Sequence, residues 1–133
     1  MGLDMSIYAV PADKVREEDK DKQVDFDSYY SYGATEIAYW RKHPNLHGRF
    51  EQLYRDKGGA GEDFNGGDTL RLTMEDLEAI EEDIGLGILP QTTGFFFGIS
   101  DASEEQRQRD LDLITEAMKH VANGDFVYYN SSW

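Results

Sequence analysis

The apolar residues of this chain recur with two incompatible periods, and this limits the fold more than any other feature. Leu111, Ile114, Met118 and Val121 follow the three-to-four spacing of one helix face, opened by Ser103 with Glu104 and Glu105 and ended near Asn123-Gly124. Near the two ends, Leu3 to Val10 and Phe126 to Tyr129 are instead short runs of strand-forming residues, the first stopped by Pro11. A chain that needs both periods must pack helices on a sheet. The expectation is an α+β fold: a small antiparallel sheet with about three to four helices on one side.

Further elements follow from local signals. Thr69 to Leu72 reads as a short strand, and Thr73 caps a helix to about Ile84 with Leu77, Ile80 and Ile84 inward and Glu/Asp outward. Thr35 reads as the N-cap of a helix opening at Glu36; Pro44 either kinks that helix or starts a second one. Leu46, Phe50 and Leu53 then keep helical spacing as far as Gly58-Gly59. Gly58 to Gly67 is a loop without the Gly-Lys-Ser/Thr ending of a nucleotide-triphosphate cradle. Phe95-Phe96-Phe97, between Gly94 and Gly98, reads as a buried strand. Ala12 to Asp27 reads as an acidic surface insertion, brought back to the body by Phe26, Tyr29, Tyr30 and Tyr32. A length of 133 residues with no internal repeat suits one domain, 1–133.

Composition narrows the partners. With no cysteine there is no disulfide, thiolate metal site or cysteine nucleophile, and a reducing cytoplasmic setting fits best. No run approaches the roughly 20 apolar residues of a membrane span, so no membrane partner is expected. A formal charge of −14 repels nucleic-acid phosphates and argues against direct nucleic-acid binding. That charge is uneven: Arg71 is the one basic residue between Gly58 and Gln106, whereas Arg41, Lys42, Arg49, Arg55 and Lys57 outnumber the acids between Glu36 and Lys57. The basic segment suits a small anion.

Two stretches carry binding chemistry. In the first, Tyr39, Trp40, Arg41, Lys42, Asn45 and His47 bring rings, cations and an amide together. In the second, Thr92, Thr93, Gly94 and Phe96 offer hydroxyls, flexible backbone and a ring. His43 and His47 stand four apart, but no third ligand is evident, so no metal site is assigned. There is no nucleophile elbow and no cofactor motif. These residues favour a binder over an enzyme, and no catalytic residue or cofactor is assigned.

Four ordered blocks resemble a family of small, largely uncharacterised bacteriophage proteins. They are the Met1-Gly2-Leu3-Asp4-Met5 start, Glu36-x-x-Tyr39-Trp40-Arg41-Lys42, Leu89-Pro90-x-Thr92-Thr93-Gly94-Phe95-Phe96-Phe97-Gly98, and the Ser131-Ser132-Trp133 end. The resemblance skips Ala12 to Asp27, and Arg49 stands where an aromatic residue is expected. It implies a phage accessory protein acting in the host cytoplasm. Combined with the aromatic and basic pocket chemistry, this leads to the expectation of a sponge. Such a protein would sequester a small nucleotide-type immune signal, a cyclic dinucleotide or cyclic ADP-ribose derivative, and so counteract anti-phage defence. The surplus of aromatics allows a homo-oligomer with sites between subunits. Two alternatives remain at this point: an acidic decoy that binds a host protein through its carboxylates, and a small enzyme degrading the same nucleotide with His43 or His47 as acid or base and Glu36 orienting it.

Overall fold

The computed structural model describes residues 2–29, 33–94 and 97–133. Four antiparallel strands and three α-helices make an α+β fold. In chain order these are β1 (Asp4–Val10), β2 (Thr35–Arg41), α1 (Pro44–Asp56), β3 (Leu70–Arg71), α2 (Met74–Leu86), α3 (Glu104–Ala122) and β4 (Phe126–Ser132). The sheet order is β2-β1-β4-β3, so the first and last strands pair at its centre, with Met5 opposite Ser131 and Tyr8 opposite Tyr128.

Strand alternation sends side chains to two faces. Leu3, Met5, Ile7, Ala38, Trp40, Val127 and Tyr129 point to the helix side, where they meet Leu46, Phe50, Leu77, Ile80, Ile84 and Ile114. Each such side chain taken out of water contributes roughly 1.5–3 kcal/mol, which makes this the main core. The opposite face presents Val10, Phe126 and Tyr128. These are covered by Val15, Phe26 and Tyr29 from the acidic segment that the sequence marks as a surface insertion. Two 3-10 turns, Ala12–Lys14 and Glu17–Asp19, shape that segment, and Val24 bridges to Leu70. Most of its acids face water, Asp19 is buried and accepts from the Tyr29 hydroxyl, and its few apolar residues seal the sheet. Tyr30 and Tyr32 lie outside the described residues.

One element differs in kind from its sequence reading. Residues 35–41 are a strand and not a helix capped by Thr35. Alternation decides it: Ala38 and Trp40 go in, Tyr39 and Arg41 go out, and the run pairs with β1 from Asp4 opposite Arg41 to Ala9 opposite Thr35. Pairing two short strand-formers outweighs a local capping signal. A bulge between the pairs Ile7–Ala38 and Tyr8–Glu36 adds one residue to β2. Pro44 then starts α1 at its first turn, after a left-handed Lys42 whose N–H donates to Leu3 O at 2.8 Å.

The other helices match their signals. Thr73 and Asp76 form a reciprocal capping box on α2, and Ser103 caps α3 by accepting from Gln106 N–H. In the 92–98 segment the described residues 92–94 and 97–98 form no strand. They are a docked loop, with Phe97 buried and residues 95–96 outside the described set.

Candidate functional site

The two motifs singled out in the sequence pack against each other around the N-terminal half of α1. Asn45 Oδ1 accepts the Thr92 N–H at 3.0 Å, and the Phe97 ring meets His47 edge-on at 5.1 Å between centroids. Gly48 makes the contact possible: a Cβ there would lie 1.9 Å from Thr92 Oγ1. Gly98 has a φ of +77° and lies against the Lys42 stem, so a glycine is required where the loop turns towards Ser100.

The contact does not assemble the expected ligand residues into one pocket. Trp40 is only 1% exposed, and its Nε1–H donates to Asp110 Oδ1 at 2.8 Å, which leaves no ring face for stacking. His47 is equally buried among Phe64, Phe97 and Tyr129, with Nδ1 at 2.6 Å from the Tyr129 hydroxyl. Burial lowers its pKa to about 4, so it is a neutral acceptor for the Tyr129 O–H. Burial likewise pushes the Tyr129 hydroxyl well above its usual value. Tyr39 and Arg41 are on the surface beside Asp4, which accepts from Tyr39 at 2.5 Å and faces Arg41 Nε at 3.7 Å. Lys42, Thr93 and Gly94 are exposed, Thr92 Oγ1 donates to Pro90 O at 3.0 Å, and Phe96 lies outside the described residues. Arg49, in place of the expected aromatic, pairs with Asp83 of α2 at 2.6 Å.

Of the expected ligand residues that are described, Asn45 alone lines the cleft of about 140 Å³ that opens between the start of α1, the loop before α3 and the first turns of α3. The rest of its chemistry comes from His43, weighed in the sequence as the acid or base of an enzyme, and from Ser100 and Asp110, to which the sequence gave no role. Ser100 Oγ is 2.8 Å from His43 Nδ1, and His43 Nε2 is 2.8 Å from Asp110 Oδ2. The other oxygen of Asp110 accepts from Trp40 Nε1 and, at 2.7 Å, from Gln106 Nε2. Asn45 N–H donates to Ser100 Oγ at 3.0 Å, giving α1 a cap from a distant loop because its own N-cap, His43, supplies none. All these bonds are satisfied together when Ser100 donates to Nδ1 and the Nε2–H of His43 donates to the carboxylate. Serine, imidazole and carboxylate thus form a continuous chain, with the serine facing the cleft.

Charge around the cleft is mixed. Arg107 and the positive ends of α1 and α3 favour an anion, while Asp101 and Asp110 set a negative wall, and Arg107 shares its charge with Glu104 at 2.9 Å. Ile84 and Leu89 supply apolar lining. Next in sequence to lining residues, Ile88 and Ile99 are 59% and 91% exposed.

Glu36, considered as a histidine's orienting carboxylate, accepts from Ser6 instead. Asp110 holds His43 from α3, in phase with Ile114 and Ala117 on that helix's buried face. An acid in the inward register of an amphipathic helix was the available signal. Among the described residues, no cluster of three or more His, Cys, Asp or Glu is placed to hold a metal ion. No described helix is long and apolar enough to cross a membrane.

The fold and the cleft together define a small α+β domain with a polar, partly enclosed site at two helix N-termini. Comparison with protein-family models, curated proteins and solved structures finds no match to this chain.

Proposed function

We propose that the protein binds a small anionic molecule of the nucleotide class in the cleft between α1 and α3. Following the resemblance to phage accessory proteins, we take its use to be sequestration of a host immune signal. The observation that carries this reading is the convergence of Arg107 with the N-termini of α1 and α3 on one opening. The side chains of Asn45, His43 and Ser100 add polar contacts at its wall.

The volume sets what enters. About 140 Å³ takes one phosphoryl group or one ring and is well short of the roughly 300 Å³ of a pocket for a drug-sized ligand. A dinucleotide would place one phosphate-bearing end inside and the remainder outside the cleft. The net charge of −14 opposes a long polyanion but leaves a small ligand free to find the local cations. The ligand contacts proposed here therefore move from the Trp40 and His47 rings to the cleft walls.

Native mass spectrometry with a panel of cyclic dinucleotides and cyclic ADP-ribose isomers tests the reading. Intact ligand at fixed stoichiometry is expected, weakened about 10-fold by Arg107→Ala, a loss of about 1.4 kcal/mol. Failure of every member of the panel to bind overturns it.

A further inference from the structure

We propose that Ser100 is a nucleophile activated by His43 and Asp110, and that the cleft accepts the acyl group of a small carboxylic ester. This goes beyond the nucleotide reading, since it concerns the reactivity of one hydroxyl and not the anion that the cleft retains.

The geometry is that of a charge-supported base next to a hydroxyl. His43 Nδ1 lies 2.8 Å from Ser100 Oγ, within reach to take its proton. The opposite ring nitrogen is fixed by Asp110 at 2.8 Å, which sets the tautomer and stabilises the imidazolium formed when the proton arrives. Here Nδ1 faces the hydroxyl and Nε2 the carboxylate, the reverse of the serine-protease arrangement. Either imidazole nitrogen serves as base when the other carries the proton. Asp110 cannot swing away, because Trp40 and Gln106 hold its second oxygen. His43 and Asp110 are buried, whereas Ser100 is partly exposed and lines the cleft, so the reactive end of the chain is the end that meets solvent.

A purely structural polar network would not need its serine at an opening. A cleft of about 140 Å³ is close to the volume of an apolar cavity that holds one benzene ring. With Ile84 and Leu89 in its lining, it suits a short apolar acyl group. In the reaction, Ser100 Oγ bonds to the ester carbonyl carbon as its proton passes to His43 Nδ1. The tetrahedral adduct collapses, the carbon–oxygen bond to the alcohol breaks, and the alcohol leaves with the proton from His43. Water, deprotonated by His43, then attacks the acyl-serine; the carboxylic acid leaves and the proton returns to Ser100. The sum is ester plus water giving acid plus alcohol. Asn45 N–H, donating to Oγ at 3.0 Å from the positive end of α1, fixes the position of the nucleophile.

The test uses the whole chain and a fluorophosphonate bearing a short alkyl group. Its phosphorus bonds to Ser100 Oγ with loss of fluoride, and the adduct is read by intact mass and peptide mapping. One adduct per chain at Ser100 is expected, absent in Ser100→Ala and slowed about 100-fold or more in His43→Gln. No adduct at Ser100 in the folded wild-type chain overturns the proposal.

Because substitution of buried His43 can unfold the protein, a second readout uses the lack of cysteine in the chain. The single thiol of Ser100→Cys is expected to react with iodoacetamide about 10-fold faster than that of Ser132→Cys on the exposed end of β4. Equal rates overturn the proposal. Nucleotide binding without serine labelling sinks this inference alone; serine labelling without nucleotide binding sinks the ligand reading alone.

Discussion

His43 and His47 stand one helical turn apart at the start of α1, yet they belong to opposite kinds of interior. His43 is tied into a polar knot, with Ser100, Asp110 and Trp40 joined by directed bonds beside an open cleft. His47 lies in an aromatic cage, stacked on Phe64 at 5.1 Å, with one hydrogen bond to Tyr129. The knot gains definition from geometry; the cage gains stability from burial. A site that must hold a reactive or binding group in one orientation needs the first, and a core needs the second. The contrast teaches that residue type and spacing do not reveal role, since both histidines stand at one helix start and in one sequence motif.

The sharpest way to break the comparison is to remove the centre of the knot. Asp110→Ala strips the acceptor from Trp40 Nε1, His43 Nε2 and Gln106 Nε2 at once, leaving buried donors unpaired. A loss of about 4 kcal/mol is expected in urea unfolding. A loss below about 1 kcal/mol would mean that the knot is no more than a solvated surface feature.

The cage is probed by pH. His47 has its pKa lowered to about 4 in the folded chain by burial, against an ordinary 6.5. The unfolded chain therefore binds the extra proton first, and its stability contribution is full above pH 6.5 and lost as pH falls towards 4. The drop is roughly 3 kcal/mol at most, from about 1.4 kcal/mol per pKa unit. His47→Leu is expected to flatten that part of the stability-against-pH curve, read by urea midpoints between pH 4 and 7. An unchanged slope would show that His47 does not titrate as a buried neutral group.

Knot and cage meet the same loop, and Gly48 allows Thr92 of that loop to lie on α1. Gly48→Ala sets a Cβ 1.9 Å from Thr92 Oγ1 and pushes that segment away. A net loss of about 2 kcal/mol is expected, because overpacking outweighs the helix propensity gained. Adding Thr92→Gly should restore most of it. If the double variant is no more stable than Gly48→Ala alone, the crowding lies elsewhere.

Much of this architecture was legible because it depends on local signals. Thr73 fixed the start of α2 and the Leu77, Ile80 and Ile84 spacing its inward face, while Ser103 fixed the start of α3. The strand at 35–41 was not, since Thr35 before Glu36 imitates a cap and only pairing with β1 reveals the alternation. The second sheet face was legible in part: Phe26 and Tyr29 were read as tying the acidic segment to the body, as they do, but Val15 stands among charged residues with no period to mark it. For the site, the sequence located both motifs that meet on α1 but not their roles, because Trp40 faces inward only once β2 is a strand. Ser100 and Asp110 come from another loop and helix. Their convergence on His43 spans 57 and 67 residues, beyond any spacing rule.

The smallest perturbation separates support from reactivity within the knot itself. Ser100→Ala removes the cap on Asn45 N–H and the donor to His43 Nδ1, but at a partly exposed position where water can replace both. The expected cost is about 1 kcal/mol in urea unfolding, the usual value of a lost N-cap. Asp110 keeps its bonds from His43, Trp40 and Gln106 in that variant, so the knot should persist with its reactive end removed. A cost near that of Asp110→Ala would make Ser100 a structural keystone and weaken its assignment as the group that the cleft presents. A cost near 1 kcal/mol, joined to complete loss of fluorophosphonate labelling, would separate the two functions of the hydroxyl: a modest cap for α1 and the reacting atom of the cleft.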